Sequence, residues 1–253
     1  MSLRLIKPGQ VSSEGVTPSQ GRYLEVSELF RETIQGEGRW IGHPATFLRL
    51  AGCNVNCSFC DSKLIWKKSQ KYSFREIFSL LEEGGAIEAF KGGEHLVITG
   101  GNPLLQMSSL EVFLKDFHSR YGFLPFIELE TEGTIVPSAL MMTLVDTINC
   151  SPKLSNSGVD KEIRMNLYAI SKISSHKDSY FKFVIGKEED WEEVEETFMK
   201  FIKHPSRVYL MPEAATREEL EKKREMVINL AIKKGVNFTD RLQVTVWDTK
   251  TGV

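Results

Sequence analysis

The residues with the plainest chemical meaning are three cysteines in one loop, GCNVNCSFCD, spaced Cys53-x3-Cys57-x2-Cys60. Thiolates are the protein ligands of zinc and of iron–sulfur clusters, and close spacing lets a single loop wrap the metal. A structural zinc site wants four closed ligands, commonly from two paired knuckles, whereas this loop offers three at unequal spacing. Three thiolates on a 4Fe–4S cubane leave one iron open for a small molecule, and that is the favoured reading. A zinc-binding structural or interaction module is the reading from a different class, and a cluster of buried free thiols is the bland one. The fourth cysteine, Cys150, ends an apolar segment and is expected to be a core thiol.

The rest of the chain bounds what such a loop could serve. With 32 Lys+Arg against 34 Asp+Glu the net charge is −2, so there is no general basic footprint for DNA or RNA, and direct action on tRNA is disfavoured. Hydrophobic residues make up 41% of the 253, which is enough apolar surface to fold a conventional core. No apolar run reaches the ~20 residues of a membrane span, and no secretory signal opens the chain, so the cytoplasm is the expected compartment. Residues 1–20, rich in Gly, Pro and Ser, are expected to be a flexible leader. Residues 21–253 are then a single domain.

Strands and helices must alternate to position the loop. Strand-like segments are YLEVSELF from Tyr23, PATFLRL (44–50), HLVITGG (95–101), FIELET (126–131), VDTINCSPK, YFKFVIG, RVYLMPE and LQVTVW. Between them, SFREIFSLLEEG, SSLEVFLKDFHSRYG, PSALMMTLV, the acidic KEEDWEEVEETFMKFIK and TREELEKKREMVINLAIKKG read as helices. The charged runs 67–71 and 188–196 are expected to be solvated faces. Repeated β-then-α units predict an α/β fold with a parallel sheet curled into a full or partial (βα) barrel, whose reactive groups collect at the C-terminal strand ends. The cysteine loop, Thr99–Asn102, Glu130–Thr131 and Ser151–Lys153 each follow directly on a predicted strand, which argues for one shared site.

The cysteine spacing, with Phe59 before the last cysteine, resembles the signature of the radical S-adenosylmethionine (SAM) enzymes. The resemblance implies a 4Fe–4S cluster on Cys53, Cys57 and Cys60 whose open iron binds the amino and carboxylate groups of SAM. Reduction of the cluster then cleaves SAM to a 5′-deoxyadenosyl radical. Further segments, ELFRETIQGEG, VITGGNPLLQ, IELETEGT, INCSPKLS and the terminal RLQVTVWDTKTGV, resemble the 7-carboxy-7-deazaguanine synthase branch of that family. That branch implies a lyase of queuosine biosynthesis that turns 6-carboxy-5,6,7,8-tetrahydropterin into 7-carboxy-7-deazaguanine with loss of ammonia. The alternative within enzymes is another pterin- or purine-like substrate.

Matching positions then imply roles. Ile34, Gln35, Gly36, Glu37, Arg49, Thr99, Gln243 and the terminal Val253 fall on substrate contacts, Arg49 being suited to a carboxylate by its planar fork. Phe59, Cys60, Asp61, Gly101, Asn102, Glu130, Ser151, Pro152 and Lys153 fall on SAM contacts. Ser62 stands where the family has a Thr on Mg²⁺, and a hydroxyl oxygen suits that ion. Two positions depart from the pattern: Asn102 replaces the Glu that pairs with the SAM amino group, and Gln243 replaces a frequent His. The resemblance also implies a flavodoxin- or ferredoxin-like reductant, a homodimer, and neither a nucleic-acid nor a membrane partner.

Overall fold

The computed structural model describes residues 3–7, 22–202 and 204–252. Its strands are β1 Leu3–Ile6, β2 Tyr23–Ile34, β3 Pro44–Leu50, β4 Gln70–Ser73, β5 His95–Gly100, β6 Ile127–Thr131, β7 Thr147–Cys150, β8 Ser179–Ile185, β9 Val208–Pro212 and β10 Asn237–Phe238. They form one ten-stranded sheet in the order β1-β2-β3-β5-β6-β7-β8-β9-β10, with β4 added to β2. From β3 to β10 every pairing along that path is parallel, while β1–β2, β2–β3 and β2–β4 are antiparallel. Strand neighbours therefore follow chain order, as right-handed crossovers through helices require.

The helices cover the outer face because their apolar stripes match it. Phe74–Glu83 opens with a reciprocal capping box, in which Ser73 accepts from the Glu76 amide and Glu76 accepts from the Ser73 amide. It turns Phe74, Ile77, Phe78 and Leu81 inward. Met107–Tyr121 packs Leu110, Phe113, Leu114 and Phe117 into the same core, and Arg217–Lys234 has a second capping box from Thr216 to Glu219. Parallel strands buried on both faces read as apolar runs, and β8 is buried at every position.

Three expectations need correction. Leu3–Ile6, placed in the leader, form β1 on the edge of the sheet; residues 8–20 of that leader lie outside the described residues. LQVTVW is a helix, Leu242–Trp247, although its alternation suits a strand. The acidic helix is also shorter than its pattern suggests: Asp190–Glu193 is α-helical and Val194–Phe198 widens to a π-turn. Charged side chains of that run are mostly exposed, but Asp190 is buried and accepts from the amides of Gly186 and Lys187 at 2.7 and 3.2 Å. Among the described residues no helix is long and apolar enough to cross a membrane.

Candidate active site

One cavity of about 470 Å³ opens where the parallel strands end. Its wall takes residues from β2, β3, β5, β6, β7, β8 and β9, strands that span almost the whole sheet order. A flat sheet could not bring Glu28 on β2 and Met211 on β9 to one hollow, so the sheet curls into a partial barrel around it. No pairing closes β1 onto β10 among the described residues.

Cys53, Cys57 and Cys60 all line this cavity. Their loop runs from β3 to the short helix Lys63–Trp66, and the turn after β5 presses against it. At Gly101 a Cβ would collide with the Gly52 carbonyl and lie 2.5 Å from Cys53 Cβ. Backbone-to-backbone approach is by itself a reason for glycine at this position. Polar hydrogens point at the sulfurs: the Val55 amide donates to Cys53 at 3.4 Å and Trp66 Nε1 to Cys60 at 3.5 Å, with Ser62 Oγ 3.7 Å from Cys60. Burial raises the Cys53 and Cys57 thiols above their ordinary value, and neighbouring thiols add to the rise.

Such a donor set suits bound thiolates, whose charge a cluster's irons would stabilise and whose sulfurs accept hydrogen bonds. No group of three or more His, Cys, Asp or Glu among the described residues is arranged for a single metal ion. A cubane offers separate corners, so its thiolates need not converge on one point, and the three cysteines fit that group. Cys150 lies elsewhere, fully buried behind Gly133, where a Cβ would sit 2.7 Å from its sulfur; it is the core thiol expected.

A charged network lines the same cavity. Glu37 accepts from Arg241 Nε at 2.9 Å, from Gln243 Nε2 at 2.6 Å and from Lys182 Nζ, and Arg241 also pairs with Asp61 beside the last cysteine. Burial alone would raise the Glu37 and Asp61 carboxyls. The adjacent cations outweigh it: Lys182 and Arg241 hold Glu37 far below the carboxylate range, and Arg241 holds Asp61 below it. The same pairing raises Lys182 and Arg241 against the effect of their own burial.

Other expected site residues gather in the same wall. Ile34, Gln35, Gly36, Phe59, Ser62, Gly101 and Ser151 line it. Gln35 Nε2 donates to Glu128 at 3.1 Å and Glu130 at 3.3 Å, while Thr99 donates to Glu130 at 2.7 Å. Arg49 faces the cavity with its Nε bound to buried Glu28 at 2.9 Å, so it is both an ion-pair member and a wall residue. Lys153, also in the wall, donates to Ser151 Oγ at 2.9 Å. Residues 248–252 of the tail line the cavity as well, held by Arg4 of β1, which donates to the Thr251 and Gly252 carbonyls. Val253 lies outside the described residues.

Asn102 and Pro152 are not in the wall. The Asn102 side chain is completely buried: its Oδ1 accepts from the Leu104 amide and Thr131 Oγ1, and its Nδ2 donates to Asn54 and Thr134. Residues the sequence reading missed are Lys182, Arg241, Asn149 and Glu132, all in the wall. A lysine inside the apolar strand YFKFVIG was a signal for the first. Glu132, within IELETEGT, is the most unusual: burial pushes its carboxyl up to about 7, against the opposing influence of Lys153 and of the neighbouring Asn102 and Thr134 side chains.

Comparison with known proteins agrees with this geometry. The radical SAM superfamily model matches residues 48–222. A 7-carboxy-7-deazaguanine synthase of Pyrobaculum aerophilum is 33% identical over 230 residues, covering 90% of this chain and 97% of the relative. The enzyme of the same name from Halobacterium salinarum is 30% identical, with 94% and 95% covered. The crystal structure of QueE from Escherichia coli superposes with a TM-score of 0.63 over 87% of this chain and 94% of that one, and at 21% identity it speaks for the shared fold. The chain belongs to the radical SAM superfamily and, within it, to the 7-carboxy-7-deazaguanine synthase family.

Proposed function

We propose that the protein is a radical SAM lyase that converts 6-carboxy-5,6,7,8-tetrahydropterin to 7-carboxy-7-deazaguanine with release of ammonia. The observation that carries this reading is one shared cavity. It joins the three cysteines to the 34–37 loop, Arg49, Thr99, Gln243 and the tail up to Gly252. The cluster and SAM, when bound, supply the radical chemistry; the chain binds, orients and shields the substrate.

Arg49 suits the substrate carboxylate, because Glu28 engages its Nε and leaves the Nη edge for a ligand. Among the described residues no donor reaches Asn149 Oδ1 or Gln243 Oε1, both buried in the wall, and each can accept from ring N–H groups of the pterin. Glu37 takes a different part from the one first expected. With Lys182, Arg241 and Gln243 already on it, it orders the wall instead of waiting for the pterin. Ser62, beside Cys60 at the mouth of the cysteine loop, is the proposed protein ligand of Mg²⁺, with substrate and water completing the shell. A flavodoxin- or ferredoxin-like protein is the proposed electron donor, and a homodimer the proposed assembly.

The test is anaerobic reconstitution followed by chromatography of products from 6-carboxytetrahydropterin, SAM, Mg²⁺ and a reductant. Brown protein with about four irons per chain and a deazaguanine product is expected. Fully clustered protein that makes no such product overturns the assignment, and a colourless chain with one zinc supports the structural module instead.

A further inference from the structure

Glu132 is a buried carboxylate at the cavity wall that makes no direct ion pair among the described residues. It directly follows β6, is 4% exposed, and shares the wall with Cys53, Cys57 and Lys153. Among the described residues it joins no ion pair; Lys153 acts on it through space, but its Nζ donates to Ser151. The side chain that bonds to it is neutral, Thr134 Oγ1 at 3.5 Å, and the neutral Asn102 amide lies close by. Buried ionised groups are ordinarily paired, so in its ionised form this position calls for a cationic or strongly polarised N–H donor from outside the chain.

Asn102 is shaped to hold that acid. Its amide ties the cysteine loop, through Asn54, to the end of β6, through Thr131, and to the segment after it, through Thr134. A glutamate at 102 would set two carboxylates against each other, where both could not ionise, and would lose the Nδ2 donor. Asn at 102 and Glu at 132 are therefore one arrangement in two parts: the neutral residue stays in the core and the charged one faces the cavity.

We infer that Glu132 accepts a hydrogen bond from the amino group of SAM bound beside the cysteines, with Asn102 as its positioning residue and Lys153 facing the SAM carboxylate. The inference rests on the reading above only in that SAM occupies this cavity. The acceptor for the amino group thus comes from the segment after β6, while the turn after β5 supplies only its support.

The test uses the anaerobically reconstituted holoenzyme and reads ligand binding by equilibrium dialysis, with the electron paramagnetic resonance signal of the reduced cluster as a second readout. Iron content and cluster absorption are checked for every variant. Glu132→Gln is expected to weaken SAM by about 10-fold or more, the scale of a charge-assisted hydrogen bond, and to lessen the spectral change that SAM produces. S-adenosylhomocysteine, which keeps the amino group and lacks the sulfonium charge, is expected to weaken by the same factor.

Unchanged SAM affinity in Glu132→Gln overturns the inference, and so does a loss confined to SAM, which assigns the acid to the sulfonium. If Glu132→Gln does not assemble the cluster, Glu132→Asp replaces it. That variant keeps the charge but withdraws the oxygen by one methylene; weaker binding is expected, and unchanged affinity is again fatal. A fully clustered wild type that binds neither ligand overturns the radical SAM reading itself, a separate failure.

Discussion

The two flanks of the cavity handle charge in opposite ways. On one, Glu37, Lys182, Arg241 and Asp61 neutralise one another, and they tie the loop after β2, strand β8, the C-terminal segment and the cysteine loop into one wall. On the other, Asn102, Asn54, Thr131 and Thr134 form a neutral lattice that supports a lone acid, Glu132. A wall whose charges are internally matched holds its shape with or without ligand. A wall with an unmatched charge costs stability until a ligand arrives, and that cost is the basis of recognition. The first flank builds the site and the second is left for what binds there.

Breaking the matched flank should have the largest effect. Glu37→Ala takes the carboxylate from buried Lys182 and leaves Arg241 with Asp61 alone, and it is expected to destabilise the fold by about 3–5 kcal/mol. Glu132→Gln removes an unmatched buried charge and should leave stability unchanged or raise it. Denaturant melts of the two variants against wild type measure this directly. Equal losses would mean that the flanks do not differ as described.

A smaller effect is expected from Gly101→Ala, in the turn that presses on the cysteine loop. The added methyl meets the Gly52 carbonyl and Cys53 Cβ, so the loop must shift, at about 1–3 kcal/mol. Iron content after reconstitution should fall with it. Full cluster occupancy in that variant would show that the loop has more freedom than its packing implies.

How much of this could be read in advance differs between the same regions. The strand PATFLRL and the start of HLVITGG agree to the residue with β3 and β5, because apolar runs closed by turn residues are local signals. The cysteine flank was equally visible, since its spacing is contiguous. The matched flank was not: it joins positions 37, 61, 182 and 241, whose partnership exists only in the folded chain. LQVTVW failed for a related reason. Arg241 is fixed by Glu37 and Asp61, and Val244 packs on Ala214 and Leu220, so tertiary contacts override an alternation that suits a strand. Asn102 was recognised as a departure, but that its charge reappears at Glu132 depends on two loops meeting.

The finest distinction between the flanks lies in the pH dependence of stability, best measured on the cluster-free chain where only protein groups act. Glu37 has a folded value far below its ordinary 4.5, so the unfolded chain binds more protons. Its stabilisation is fully present above about pH 4.5 and is lost as pH falls. Glu132 has a folded value of about 7 against an ordinary 4.5, so here the folded chain binds more. Its contribution is fully present below about pH 4.5 and is lost as pH rises to about 7. Each slope is bounded by one proton, about 1.4 kcal/mol per pH unit. Wild-type stability minus that of Glu132→Gln should therefore fall between pH 4.5 and 7, whereas wild type minus Glu37→Gln should be flat there and fall only on acidification below 4.5. Two difference curves of the same sign would remove the electrostatic contrast between the flanks, and with it the reason to regard Glu132 as a charge held for a ligand.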